Sequence, residues 1–206
     1  MSTKYNSPEY LRGWVAKRLY PDIHSAIFLA ATTALKGKRV LDICCSYGLL
    51  GQHLKDTGQF EFVCGMDAEE PTVNAAMIKG IEIPLMVMKL TWGTSVAFTQ
   101  YLAQNRIDTI VARRAFPELF SEDPDFGREM SREFHNVGVK EILIEGRVVS
   151  PRTTNALGRL ENEVALFSDQ YEQQPTPYDL PNIAYLRART EWLSKATTGG
   201  QELSGM

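Results

Sequence analysis

Short apolar runs alternate with amphipathic stretches over much of this chain, and the alternation predicts the fold class. The runs cover residues 39–43, 60–66, 84–88, 107–112 and 140–145. Each is apolar on consecutive positions, as parallel strands buried on both faces require. Between them the pattern predicts helices over about 49–57, 70–79, 94–104 and 124–136. Gly58, Gly80 and Gly138 follow three of these, where a left-handed residue ends a helix. The expectation is an α/β fold: a three-layer sandwich around a mostly parallel sheet.

The two ends of the chain depart from this rhythm. Ser7-Pro8-Glu9 reads as a helix start, with Leu11, Trp14, Val15 and Leu19 on one face. Pro21 restarts a helix carrying Ile23, Ile27, Ala30, Ala31 and Ala34, and Gly37 ends it. Further on, Leu157, Leu160, Val164 and Phe167 form a helical stripe. Gln173-Gln174-Pro175-Thr176-Pro177-Tyr178 then breaks the chain before a last strand over 182–188, paired with a short strand near Tyr171. The small polar tail from Ser194 reads as disordered. One domain is expected over 1–193, with a helical cap at 1–37 and a sheet core at 38–193, followed by the tail at 194–206.

Composition narrows the function classes. The 206 residues are 44% hydrophobic and 23% charged, with a net charge of −3, so no global basic field recommends nucleic acid. Charge is uneven: Lys4, Arg12, Lys17, Arg18, Lys36, Lys38 and Arg39 precede Leu41, against Glu9 and Asp22. That end is either a solvated helix face or a site for an acidic partner. Cys44, Cys45 and Cys64 offer no CxxC or zinc spacing, and neighbours such as Cys44 and Cys45 make a poor disulfide, which fits a reduced cytoplasmic protein. His24, His53 and His135 are scattered, and no metal site is expected. No leader pattern is visible, and no apolar run approaches the ~20 residues that span a bilayer.

The chemistry concentrates in Lys38-Arg39-Val40-Leu41-Asp42-Ile43-Cys44-Cys45-Ser46-Tyr47-Gly48. This reads as a buried strand, a small-residue turn and a helix start. The next strand closes on Gly65-Met66-Asp67. Strand, turn, helix, strand and acid build a nucleoside pocket: the turn and helix N-terminus approach the ligand, and the acid accepts from ribose hydroxyls.

These segments resemble the class I S-adenosylmethionine-dependent methyltransferases. Val40–Gly48 is similar to that family's first motif, and Gly65-Met66-Asp67 to the end of its second strand. Asp108-Thr109-Ile110-Val111-Ala112-Arg113-Arg114 resembles its fourth strand, Glu141-Ile142-Leu143-Ile144-Glu145-Gly146 its fifth, and Tyr185-Leu186-Arg187-Ala188 its closing strand. The resemblance spans about residues 36–188 and implies seven strands in the order 3-2-1-4-5-7-6, with strand 7 antiparallel. It implies S-adenosylmethionine as cofactor. Asp42 would organise the turn and the methionine end, with Cys44, Ser46, Tyr47 and Gly48 lining the turn. Asp67 would hold the ribose, and Ala68 with Lys89-Leu90-Thr91 would lie against adenine. Arg113 would begin the loop facing the methyl.

The turn departs from the family at Cys44 and Ser46, which stand where two glycines are usual; they fit without strain if φ stays negative there. Other readings remain: Asp42 as a cap of the turn, Asp67 as a helix N-cap, the cysteines as apolar fillers, Arg113 and Arg114 as exposed loop residues or an anion clamp. Glu118 is the best-placed carboxylate for a base, with His135 second. The Asn/Asp-Pro-Pro-aromatic motif of amino-methylating nucleic-acid enzymes is missing from Arg113-Arg114-Ala115-Phe116-Pro117-Glu118. A Pro-Cys nucleophile and a separate DNA target-recognition domain are also missing. A small-molecule acceptor is therefore expected, with protein or RNA left open through the basic N-terminal helices. The rivals are a nonenzymatic methyltransferase-like binding or assembly protein and a Rossmann-type oxidoreductase. Against the latter stand the lack of G-x-G-x-x-G and the expected antiparallel last strand.

Overall fold

The computed structural model describes residues 31–113, 123–147, 171–174 and 183–189. Most of the expected N-terminal cap, the stripe at 157–167, the tail, Arg114 and Glu118 lie outside the described residues. Residues 31–34 are the end of a helix. From there strands and helices alternate: β1 (Arg39–Ile43), α1 (Leu49–Asp56), β2 (Phe62–Asp67), α2 (Glu70–Ile78), β3 (Leu85–Val87), α3 (Ser95–Gln104), β4 (Thr109–Arg113), α4 (Pro124–Asn136) and β5 (Glu141–Arg147).

These strands form a parallel sheet in the order β3-β2-β1-β4-β5. The order reverses between β1 and β4, where Asp42 is level with Val111. Alternate residues of each strand feed two cores. Leu41, Ile43, Cys64, Met66, Ile110, Ala112, Ile142 and Ile144 pack with Phe98 and Leu102 of α3 and Phe126, Met130 and Phe134 of α4. Phe98 and Phe134 meet edge to face at 6.0 Å. On the opposite face Val40, Val63, Val111 and Leu143 pack with Leu50 and Leu54 of α1 and with Ala31, Ala34 and Leu35. Burying each large side chain stabilises the fold by about 1.5–3 kcal/mol, so both layers are needed to cover the sheet.

The start of the sheet is tied down by two carboxylates. Glu141 Oε1 accepts from the backbone N–H of Lys36 at 2.6 Å and of Gly37 at 2.7 Å. Asp108 Oδ1 accepts from the N–H of Lys38 and of Arg39, each at 3.0 Å. A Cβ at Gly37 would lie 1.8 Å from Thr109 Oγ1, so only glycine passes between these anchors. The register of β1, and hence the position of the turn after it, is fixed from this edge.

Candidate functional site

β1 ends at Ile43, and the chain turns at once over the C-terminal edge of the sheet. Cys44, Ser46 and Gly48 have φ of 55°, 52° and 67°. The negative φ that would have relieved Cys44 and Ser46 is not what the backbone adopts. A side chain in this region costs about 1–2 kcal/mol. Hydrogen bonds hold the strained path. Cys45 N–H donates to Met66 O at 2.9 Å, and Gly48 N–H to Cys45 O at 2.9 Å. Ser46 N–H donates to Asp67 Oδ2 at 2.8 Å.

The side chains of the turn part ways. Cys44 is half-buried and packs against the α3/α4 core. Cys45 is buried over Gly65, where a Cβ would sit 2.8 Å from its Sγ. Burial drives its thiol far above the ordinary range, with the Asp42 charge adding to the effect. Cys64 is pushed up to about 11, mainly by burial. Both are fillers rather than nucleophiles at neutral pH. Ser46 is exposed, and the Lys79 ammonium sits 4.7 Å from the centre of the Tyr47 ring.

Two acids flank the turn. Asp67, at the end of β2, takes Ser46 N–H on one oxygen and Glu69 N–H on the other at 3.0 Å. Partial burial raises its carboxyl, and these two N–H groups offset part of the rise. Asp42 is only 1% exposed, and among the described residues its carboxylate accepts one hydrogen bond, from Gly51 N–H to Oδ2 at 3.2 Å. Burial pushes its carboxyl up to about 7; Gly51 N–H and Arg113 lower it, while Asp67 and Glu145 raise it. Its Oδ1 accepts no hydrogen bond from the described residues.

Arg113 closes β4 level with Glu145 on β5. Its Nε donates to Glu145, whose Oε2 lies at 3.1 Å, and Glu145 is 2% exposed. Asp67, Asp42 and Arg113 thus lie at or near the C-terminal ends of the neighbouring strands β2, β1 and β4, the edge where open α/β sheets bind ligands. Among the described residues, no cluster of three or more His, Cys, Asp or Glu is arranged to hold a metal ion.

No family model and no curated protein matches the chain. Solved structures do. The chain is similar to the plantazolicin methyltransferase BpumL in complex with SAH, at 11% identity over 90% of this chain and 91% of that one, with a TM-score of 0.59. It is also similar to a TehB-like SAM-dependent methyltransferase from Corynebacterium glutamicum, at 16% identity over 87% and 95%, TM-score 0.55. The fold is that of the class I methyltransferases. A third similar structure, magnesium protoporphyrin IX methyltransferase from Synechocystis with bound SAM, has 17% identity over 81% and 76%, TM-score 0.50.

Within this methyltransferase fold, Asp42, Cys44, Ser46, Tyr47, Gly48, Asp67 and Ala68 gather at one edge, with Arg113 beside them. Leu90 is buried in the core. Thr91 sits in the turn after β3. His135 lies in the last turn of α4, at the opposite end of the sheet. Glu145, Trp92 and Asp123 were not singled out as site residues. An acid closing an apolar run marked Glu145, but its pairing with Arg113 needs the β4–β5 register.

Proposed function

We propose that this protein is an S-adenosylmethionine-dependent methyltransferase acting on a small-molecule acceptor. The observation that carries the reading is buried Asp42, with an oxygen unmatched among the described residues, beneath a turn already shaped for close approach. A ligand bearing N–H or positive charge satisfies that oxygen, and the ammonium and sulfonium of the cofactor meet the requirement. Bound S-adenosylmethionine supplies an electrophilic methyl group. Asp67 keeps lone pairs beyond those given to Ser46 and Glu69, enough for ribose hydroxyls. Ala68 and the backbone of 89–91 border the base. Arg113, held by Glu145, and Glu118 are assigned to the acceptor end, where alignment and exclusion of water do most of the work.

The reading includes a single domain over 1–193 and the sheet order 3-2-1-4-5-7-6. Support for the last two strands comes from antiparallel backbone pairing of Ile183–Arg189 with β5, from Arg147↔Ile183 to Glu141↔Arg189. Tyr171–Gln174 pairs with the same segment. Among the described residues no helix is long and apolar enough to cross a membrane, and three free cysteines favour a cytoplasmic setting. The second reading, a nonenzymatic binding or assembly protein, is favoured by the side chains that replace glycine at 44 and 46. Calorimetric titration with S-adenosylmethionine, S-adenosylhomocysteine and NAD separates the readings. The enzyme reading expects heat from the first two and none from NAD, followed by methyl transfer in a screen of small acceptors. Heat from NAD alone overturns it, and no heat from any ligand leaves the nonenzymatic reading.

A further inference from the structure

The segment after β3 leaves the sheet beside Asp67, because Met88 N–H donates to Asp67 O at 2.9 Å. It folds into a tight turn. Thr91 N–H donates to Thr94 Oγ1 at 2.9 Å, and that hydroxyl donates to Lys89 O at 2.7 Å. Leu90 plugs one side of the turn into the core. Trp92 sits at the tip, 53% exposed, yet its indole is held by a hydrogen bond and by a tilted ring contact. Nε1–H donates to Asp123 Oδ2 at 2.8 Å, and the ring centre lies 4.9 Å from that of Phe126. The other oxygen of Asp123 accepts Phe126 N–H at 3.0 Å and caps α4. One carboxylate therefore fastens two elements, one donor on each oxygen. The two donors hold Asp123 below the usual carboxylate range.

An exposed indole gains little by burial, so the value of this arrangement lies in what it fixes. The fixed object is a segment that begins alongside the ribose acid; at its tip Ser95 Oγ donates to Trp92 O at 2.8 Å from the start of α3, and the Trp92 side chain is what ties the tip across to α4. We propose that Trp92 and Asp123 form a latch holding residues 89–94 as the base-side wall of the nucleoside site, which makes Trp92 a positioning residue for the purine. The inference rests on reading the C-terminal edge as an S-adenosyl site.

The test uses the full chain carrying Trp92→Phe, Asp123→Asn, and both. Phe keeps the ring contact and loses the donor. Asn still caps a helix, but its one carbonyl oxygen serves either the cap or the indole. Each single variant is expected to bind S-adenosylhomocysteine about fivefold to tenfold more weakly. The double variant falls no further than the weaker single, because both changes cut one bond. Adenosine affinity drops by the same factor, amide exchange at Thr91 and Thr94 accelerates, and the urea midpoint stays in place. A purely structural role would instead lower the urea midpoint in step with affinity, and that result counts against the latch. Wild-type binding with unchanged variants overturns the latch alone. Absence of binding by the wild type overturns the nucleoside reading and the latch together.

Discussion

Glu141 and Asp108 at the N-terminal edge of the sheet and Asp42 at its C-terminal edge are carboxylates satisfied in opposite ways. At the N-terminal edge, Glu141 and Asp108 collect the consecutive N–H groups of Lys36, Gly37, Lys38 and Arg39 at 2.6–3.0 Å. At the C-terminal edge, Asp42 has one N–H among the described residues, at 3.2 Å, and is pushed up to about 7. A carboxylate supplied with short backbone donors is a structural clamp. A buried one left with a single long donor holds back interaction energy that a ligand can claim. Substituting the first kind should damage the fold and spare binding, whereas substituting the second should do the reverse.

The largest effect is expected at the clamp. Glu141→Ala strands two backbone donors and removes a nearly buried carboxylate, and should lower stability by about 3–4 kcal/mol. Urea unfolding measures this, and the surviving folded fraction should bind S-adenosylhomocysteine within twofold of wild type. A loss below about 1 kcal/mol, or a large loss of affinity in folded protein, would dissolve the contrast between the edges.

Asp42→Asn comes next and carries the opposite sign. The folded carboxyl is raised from 3.8 to about 7, so the favourable contribution of its neutral form is present at low pH and is lost as pH rises through about 7. Above that, the buried charge weakens the fold, and Asn removes the penalty. The variant should be more stable than wild type at alkaline pH, with the difference closing toward pH 4. Wild-type affinity for S-adenosylhomocysteine should rise from acidic to alkaline pH as Asp42 ionises, and should be flat and weaker in the variant. Parallel stability curves for the two proteins would show that Asp42 does not titrate in this range.

The smallest effect sharpens the comparison at the turn. Cys44→Gly and Ser46→Gly each relieve left-handed strain of about 1–2 kcal/mol and add about 0.5–1 kcal/mol of unfolded-state freedom. Each should therefore stabilise by roughly 0.5–1 kcal/mol, with affinity little changed. A large gain in affinity would mean that the two side chains occupy ligand space, and would favour the nonenzymatic reading.

The parallel strands were legible because consecutive apolar residues leave few alternatives once Gly58, Gly80 and Gly138 mark the helix ends. Boundaries slipped where side chains outvoted the pattern. β4 starts at Thr109 rather than Ile107 because Asp108 is drawn into the clamp at Lys38 and Arg39. Asp42 inside the first apolar strand and Asp67 at the end of the second were readable from their positions. Their difference was not, since it depends on which backbone N–H groups reach each oxygen. The left-handed backbone at Cys44 and Ser46 ran against local preference; Met66 O and Asp67 Oδ2 impose it from the neighbouring strand. Arg113 with Glu145 and Trp92 with Asp123 are about thirty positions apart and become partners only through the fold.

The most direct test of the central claim, that the C-terminal edge is a nucleoside site, is calorimetry with S-adenosylhomocysteine on wild type and Asp67→Ala. Losing a charged acceptor to the ribose should cost about 1.5–3 kcal/mol, on the order of a tenfold to hundredfold loss of affinity. The account predicts that loss of affinity in the folded protein, together with a lower urea midpoint, because Asp67→Ala also strands the N–H groups of Ser46 and Glu69; equal affinity in the two folded proteins, or no binding by the wild type, would contradict it.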